Sequence, residues 1–227
     1  MKIFLLAIST LLLVTFSYSQ KLSQASFPDG AKLSYFSVLT DQNVLIRISE
    51  DGKLLEWGAE VLSDRGNYYA PALQPFMGRT EDYKQEPDSV FNGKVKSIGS
   101  CFITYYGSQE EQNTRGKIKL LGNLQLDYFS KYDEKNMQGK LKVIGNLLLD
   151  YYRSYDNEAF RNKLKSIGSV PITYYSAFDD KYNAGKIKSI GTASYMWYSP
   201  NNHPTMRGGL KTNNYRQSIS GITYILQ

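Results

Sequence analysis

Ten lysines stand in pairs two residues apart, and the pairs return every 23 residues: Lys94 and Lys96, Lys117 and Lys119, Lys140 and Lys142, Lys163 and Lys165, Lys186 and Lys188. Side chains two apart on a strand share a face. Five such pairs make an ordered cationic surface, the chemistry that meets an acidic polymer. Adjacent rings recur in step with them: Tyr105-Tyr106, Tyr128-Phe129, Tyr151-Tyr152, Tyr174-Tyr175 and Trp197-Tyr198. Neighbouring strand residues face opposite ways, so one ring of each pair is expected in the core. The other (Tyr106, Phe129, Tyr152, Tyr175, Tyr198) is expected on the lysine face, where a ring can stack on a sugar. The competing reading is structural, with lysines keeping a sheet face soluble and their stems lying over rings. Acids also recur in the loops, at Glu110, Asp133, Asp156 and Asp179. They carry the oxygens that Ca²⁺ wants, but without the spacing of a known calcium loop.

Other chemistry is excluded more firmly. One Cys cannot close an internal disulfide, and one Cys with one His cannot build a Cys/His zinc site. His203 has no nucleophile motif to serve. Gly-x-Ser-x-Gly, the P-loop and the dinucleotide fingerprint are all absent. An array offers many equal sites where catalysis needs a unique one. The expectation is therefore a non-enzyme without metal or cofactor, with no nucleic-acid partner.

The elements that position these residues follow from the repeat. Gly93-Lys-Val-Lys-Ser-Ile-Gly99 returns from Gly116, Gly139, Asn162 and Gly185, five copies over 93–207. Counting from that first residue, positions 3, 9, 11 and 13 are apolar and positions 2 and 4 are Lys. Such alternation reads as half-buried strand. Positions 15–23 are polar loop, and Gly-Asn or Gly-Ser at positions 7 and 8 of the first four copies marks a turn. The fold expected is all-β: an elongated array of antiparallel β-hairpin units of period 23. A three-residue turn is preferred over a two-residue one, because it sets position 3 opposite position 11 and keeps lysine off the apolar face. That register puts Lys117 across from Asp127 and Lys140 across from Asp150. A β-solenoid is the alternative. It would stack lysines in ladders spaced about 4.8 Å, where like charges repel.

Met1 and Lys2 precede the apolar run Ile3–Phe16 and then Ser17-Tyr18-Ser19. This reads as a signal peptide, 1–19, cut after Ser19. No transmembrane span is expected after cleavage, and the product belongs in the periplasm, on the outer cell surface or in the medium. Residues 20–92 are acidic, with a net charge of −4, against +7 for 93–207 and +2 for 208–227. The N-terminal β segment 20–92 and the strand in 208–227 are expected to cap the array, and Cys101 to be a small buried thiol.

Export, the period, Gly-Lys-x-Lys-Ser-Ile-Gly and Ile-Thr-Tyr-Tyr together resemble uncharacterised exported repeat proteins of Gram-negative bacteria. That resemblance spans roughly 40–227 and implies no activity. The period alone is similar to that of MORN repeats, which are β-hairpin units. Their Tyr-x-Gly start and internal His-Gly pair are missing here. The sequence thus points to a structural or protein-interaction module of the cell envelope, partner unknown. The alternative is a polysaccharide-binding module using the lysine and ring rows.

Overall fold

A computed structural model describes residues 20–61, 72–199, 206, 208–212 and 214–226. The expected signal peptide, 1–19, and His203 lie outside the described residues. The protein is all-β, and its eighteen described strands form two sheets.

The repeats build the larger sheet. Each contributes a hairpin: β7 (Val95–Ile98) with β8 (Cys101–Tyr105), β9 (Ile118–Leu121) with β10 (Leu124–Tyr128), β11 (Leu141–Ile144) with β12 (Leu147–Tyr151), β13 (Leu164–Ile167) with β14 (Val170–Tyr174), and β15 (Ile187–Ile190) with β16 (Ala193–Ser194). The strands follow one another in chain order, each antiparallel to the last, and β6 (Thr80–Asp82) adds an eleventh at the first edge. Eleven strands at about 4.8 Å apart span about 48 Å. The solenoid alternative is overturned, because successive repeats pair side by side rather than stacking as coils. Both outer strands of this sheet are short, β16 having two residues and β6 three. Short edges limit pairing with other chains.

The register corrects the expected turn. Leu121 pairs with Leu124 and Leu120 with Gln125, so Gly122-Asn123 is a two-residue turn. Gly122 takes φ +57°, which suits glycine at the first turn position. The facing problem is solved at the next seam. Asp127 pairs with Val143, but Tyr128 pairs with Leu141, so Lys142 is an extra residue on its strand. A bulge of this kind absorbs one residue and restores the faces, and Leu141 and Ile144 are both buried although an odd number of residues apart. The same slip occurs at Lys96, Lys119, Lys165 and Lys188. Lys117 and Lys140 consequently do not stand opposite Asp127 and Asp150. Strict alternation could not anticipate this, because it has no place for a bulge.

The flanking segments form the second sheet. Its order is β17 (Arg216–Ile219), β18 (Ile222–Leu226), β1 (Lys21–Phe27), β2 (Tyr35–Leu39), β3 (Leu45–Ile48), β4 (Leu54–Glu60) and β5 (Leu73–Pro75). β1 and β18 pair in parallel, joining the two ends of the described chain. Arg216 grips Glu60 through two hydrogen bonds of 2.9 Å across this sheet. This sheet lies along the array rather than only at its ends. Gln20, before β1, accepts from the Asn123 amide of the second repeat at 3.1 Å. Gly30, after β1, accepts from the Ile187 amide of the fifth at 2.7 Å. The Gln42 side chain reaches the Ser100 amide of the first repeat, and the Glu50 carbonyl the Leu141 amide of the third. The flanking strands therefore cross the array obliquely. One apolar core, with residues from both sheets, fills the space between them. Cys101 lies in it, fully buried, and burial pushes its thiol up to about 11.

Candidate functional site

Both lysine rows have defined surroundings. The position-2 ammonium groups lie 4.5 to 5.1 Å from the centroids of the position-13 rings of their own repeats. The four after Lys94 also cross to the next repeat, donating to the carbonyl of its first residue. Lys140 reaches Asn162 at 2.8 Å, Lys163 reaches Gly185 at 2.5 Å and Lys186 reaches Gly208 at 2.6 Å. Lys117 bonds Gly139 in the same way. Burial pushes Lys117, Lys163 and Lys186 below the usual lysine range, Lys163 to about 8. Lys140 also pairs with Glu50 of the flanking sheet at 3.1 Å.

The bulged position-4 lysines lie over rings as well. Lys119, Lys142, Lys165 and Lys188 sit above Tyr106, Phe129, Tyr152 and Tyr175 of the preceding repeat, 5.2 to 5.7 Å from the ring centroids. Lys96 covers Tyr83 and Lys211 covers Tyr198 at either end. Beneath them, the hydroxyls of Tyr106, Tyr152 and Tyr175 donate to carbonyls of the next repeat at Leu126, Ile172 and Tyr195. Phe129 is buried. Nine of the ten lysines, Lys94 excepted, and the position-14 rings thus come together on one framework, as fasteners along the array.

The position-13 rings point into the core. Tyr105, Tyr128 and Tyr174 donate to the position-3 carbonyls beside each bulge, at 2.7 to 2.9 Å, and the Trp197 indole does the same. Tyr151 is the exception: its buried hydroxyl has no hydrogen-bond partner.

The recurring loop acids close turns. Asp133 accepts from the Ser130 amide, Asp156 from Arg153 and Asp179 from Ser176, each three residues back. Lys188 and Ser176 together hold Asp179 well below the usual carboxylate range. Adjacent loops are tied by the next acid along. Glu111 accepts from the Lys131 amide at 3.2 Å, and Glu134 from the Ser154 amide at 3.4 Å. Among the described residues, no cluster of three His, Cys, Asp or Glu side chains could hold a metal.

These turns carry a feature the sequence reading missed. Position 17, one residue before the turn-closing acid, is Tyr132, Tyr155 and Phe178 in three successive repeats, and these rings are 83, 81 and 96% exposed. Each repeat advances two strands, so the rings recur about every 9.6 Å. The available signal was their shared phase inside a stretch otherwise read as polar loop.

A cleft of about 720 Å³ opens between the β3–β4 turn and the first two repeats. Among the described residues, Lys53, Lys94, Arg115 and Lys117 line it against one acid, Asp51, with Trp57 and Tyr105 among its walls. Farther along the array, turns of the flanking sheet fill the corresponding space. Gly52 sits so close to Tyr128, and Gly30 to Trp197, that a Cβ on either would lie 2.0 or 1.9 Å from the ring side chain.

Among the described residues, no helix is long and apolar enough to cross a membrane. No family model, curated protein or solved structure matches the chain.

Proposed function

We propose that the chain is an exported, non-catalytic interaction module of the cell envelope, a rigid array that presents the displayed rings Tyr132, Tyr155 and Phe178 to a partner. The carrying observation is that row. Aromatic surface repeated along one edge of the array suits contact with a partner, and Glu134 ties the loop of Tyr132 to that of Tyr155. The other ring rows are engaged inside the array. The lysine and position-14 residues act here as the framework that keeps the loops in step.

Polysaccharide binding is the second reading, and it moves from the lysine face to the loop edge. A step of about 9.6 Å suits an extended glycan that turns an equivalent sugar face outward at every second unit. Rings so spaced can each stack on one such face.

One experiment tests both. The secreted protein is mixed with an isolated envelope fraction and sedimented, beside the variant Tyr132→Ser/Tyr155→Ser/Phe178→Ser. Co-sedimentation of the wild type and its loss in the variant is the expected result. Equal retention of the two removes the displayed rings from any role. Prior protease treatment of the envelope separates the readings: binding to a protein disappears, whereas binding to a polysaccharide persists.

A further inference from the structure

We propose that the cleft between the β3–β4 turn and the first two repeats binds an acidic sugar residue, with Lys94 and Arg115 holding its carboxylate and Trp57 and Tyr105 flanking its ring. This site is separate from the displayed loop rings, so the two readings fail independently.

The cleft lies where, among the described residues, no turn of the covering sheet seats on the array. The β3–β4 turn seats on Tyr128 and the β1–β2 turn on Trp197, but among the described residues no turn seats on Tyr105, whose ring lines the cleft. Lys94 differs from its equivalents accordingly. Lys117, Lys140, Lys163 and Lys186 each donate to a carbonyl of the following repeat. Lys94 makes no such bond, and its ammonium rests 5.1 Å from the Tyr105 centroid at the cleft wall. Arg115 is exposed and presents the planar fork that matches a carboxylate.

The surrounding charges favour an anion. Among the described residues Asp51 is the only acid in the lining, and it is already paired with Lys53 at 3.0 Å and hydrogen-bonded by Ser49. Lys117 is committed to Gly139 and Tyr128 and adds positive field from below. The walls select among anions. Two aromatic side chains together with Leu54, Val90 and Val95 suit the apolar C–H face of a pyranose better than a bare inorganic ion. The size suits a small-molecule site, for which several hundred Å³ is typical. Its open mouth lets a polymer enter and leave.

Calorimetric titration with trigalacturonic acid, its methyl ester, inorganic sulfate and a short single-stranded oligonucleotide tests this. Saturable one-to-one binding of trigalacturonic acid is expected, weakening as salt rises. Lys94→Gln/Arg115→Gln should weaken it by at least about tenfold, as expected for charge-assisted hydrogen bonds, and Lys142→Gln on the outer face should leave it unchanged. No binding, or undiminished binding by the cleft variant, overturns the proposal. So does equal affinity for the methyl ester or sulfate, or tighter binding of the oligonucleotide. The ester, sulfate and oligonucleotide comparisons use the unaltered protein and so do not depend on the variant's folding.

Discussion

The array and the flanking sheet hold their strands together by opposite means. In the array, the seams draw on one set of short-range contacts: a bulged lysine over a ring, from the second repeat on a second lysine on the next repeat's carbonyl, and, except at Tyr151, a ring hydroxyl or indole donating beside the bulge. In the flanking sheet, the decisive contacts join distant parts of the chain. β1 lies against β18 in parallel, and Arg216 holds Glu60 from 156 residues away. Periodic local bonding makes a sheet that can grow, whereas long-range bonding makes one of fixed extent. The cleft lies between the β3–β4 turn of the fixed sheet and the first two units of the periodic one.

Deleting residues 216–227 strikes the long-range side and should have the largest effect. It removes Ile222, Tyr224, Ile225 and Leu226, all buried. At about 2 kcal/mol per buried side chain, the loss of about 8 kcal/mol rivals the whole stability of a typical domain. Loss of the cooperative urea transition is expected. A sharp transition with an unchanged midpoint would mean that the array stands without its cover.

Alkaline pH strikes the periodic side. Lys163, held by burial at about 8 in the fold against 10.5 when free, binds fewer protons folded than unfolded between those values. Lys117 and Lys186 shift the same way. Stability from these groups therefore rises with pH over that window. Burial raises Tyr105, Tyr106, Tyr128, Tyr151 and Tyr174 above 10.0. Above about pH 10 the unfolded chain loses phenolic protons that the fold retains, and stability falls. A maximum in urea midpoint near pH 10 is expected, followed by a steep decline. A monotonic fall from neutral pH would contradict this account of the lysine row.

The smallest expected effect compares two copies of one residue. Tyr174→Phe removes the hydroxyl bonded to the Leu164 carbonyl at 2.9 Å, a cost of about 1 kcal/mol. Tyr151→Phe removes a buried hydroxyl without a partner, and its effect should be neutral or stabilising. Thermal melts of both single variants read the difference. Equal losses would show that the seams are alike even beneath the β3–β4 turn.

Much of the array was legible in the sequence. Phase alone assigned Tyr128, Tyr151 and Tyr174 to the core and Phe129 and Tyr152 to the lysine side, and glycine at position 7 marked the turn. The register was not legible, because Lys142 pairs with nothing in the ladder and a bulge leaves no mark on composition. The ring row at Tyr132, Tyr155 and Phe178 was present in the phase but masked by its polar neighbours. The flanking sheet was hidden for a different reason. Pairing of Ala25 with Tyr224 joins segments about 200 residues apart, and local patterning carries no information about such partners. The cleft inherits that difficulty, since Trp57 and Arg115 meet only after both sheets have formed.

The oblique path of β1 has a consequence for how such a chain can change by duplication. Unequal recombination within an array readily adds or removes whole repeat units. Here Gln20 is fixed to the second unit and Gly30 to the fifth, so β1 measures out three units. An extra copy between those anchors would displace Gly30 from Ile187 by about 9.6 Å, too far for the turn to follow. Lineages descended from this gene should therefore vary in copy number before the second unit or after the fifth, and keep the interval between them constant.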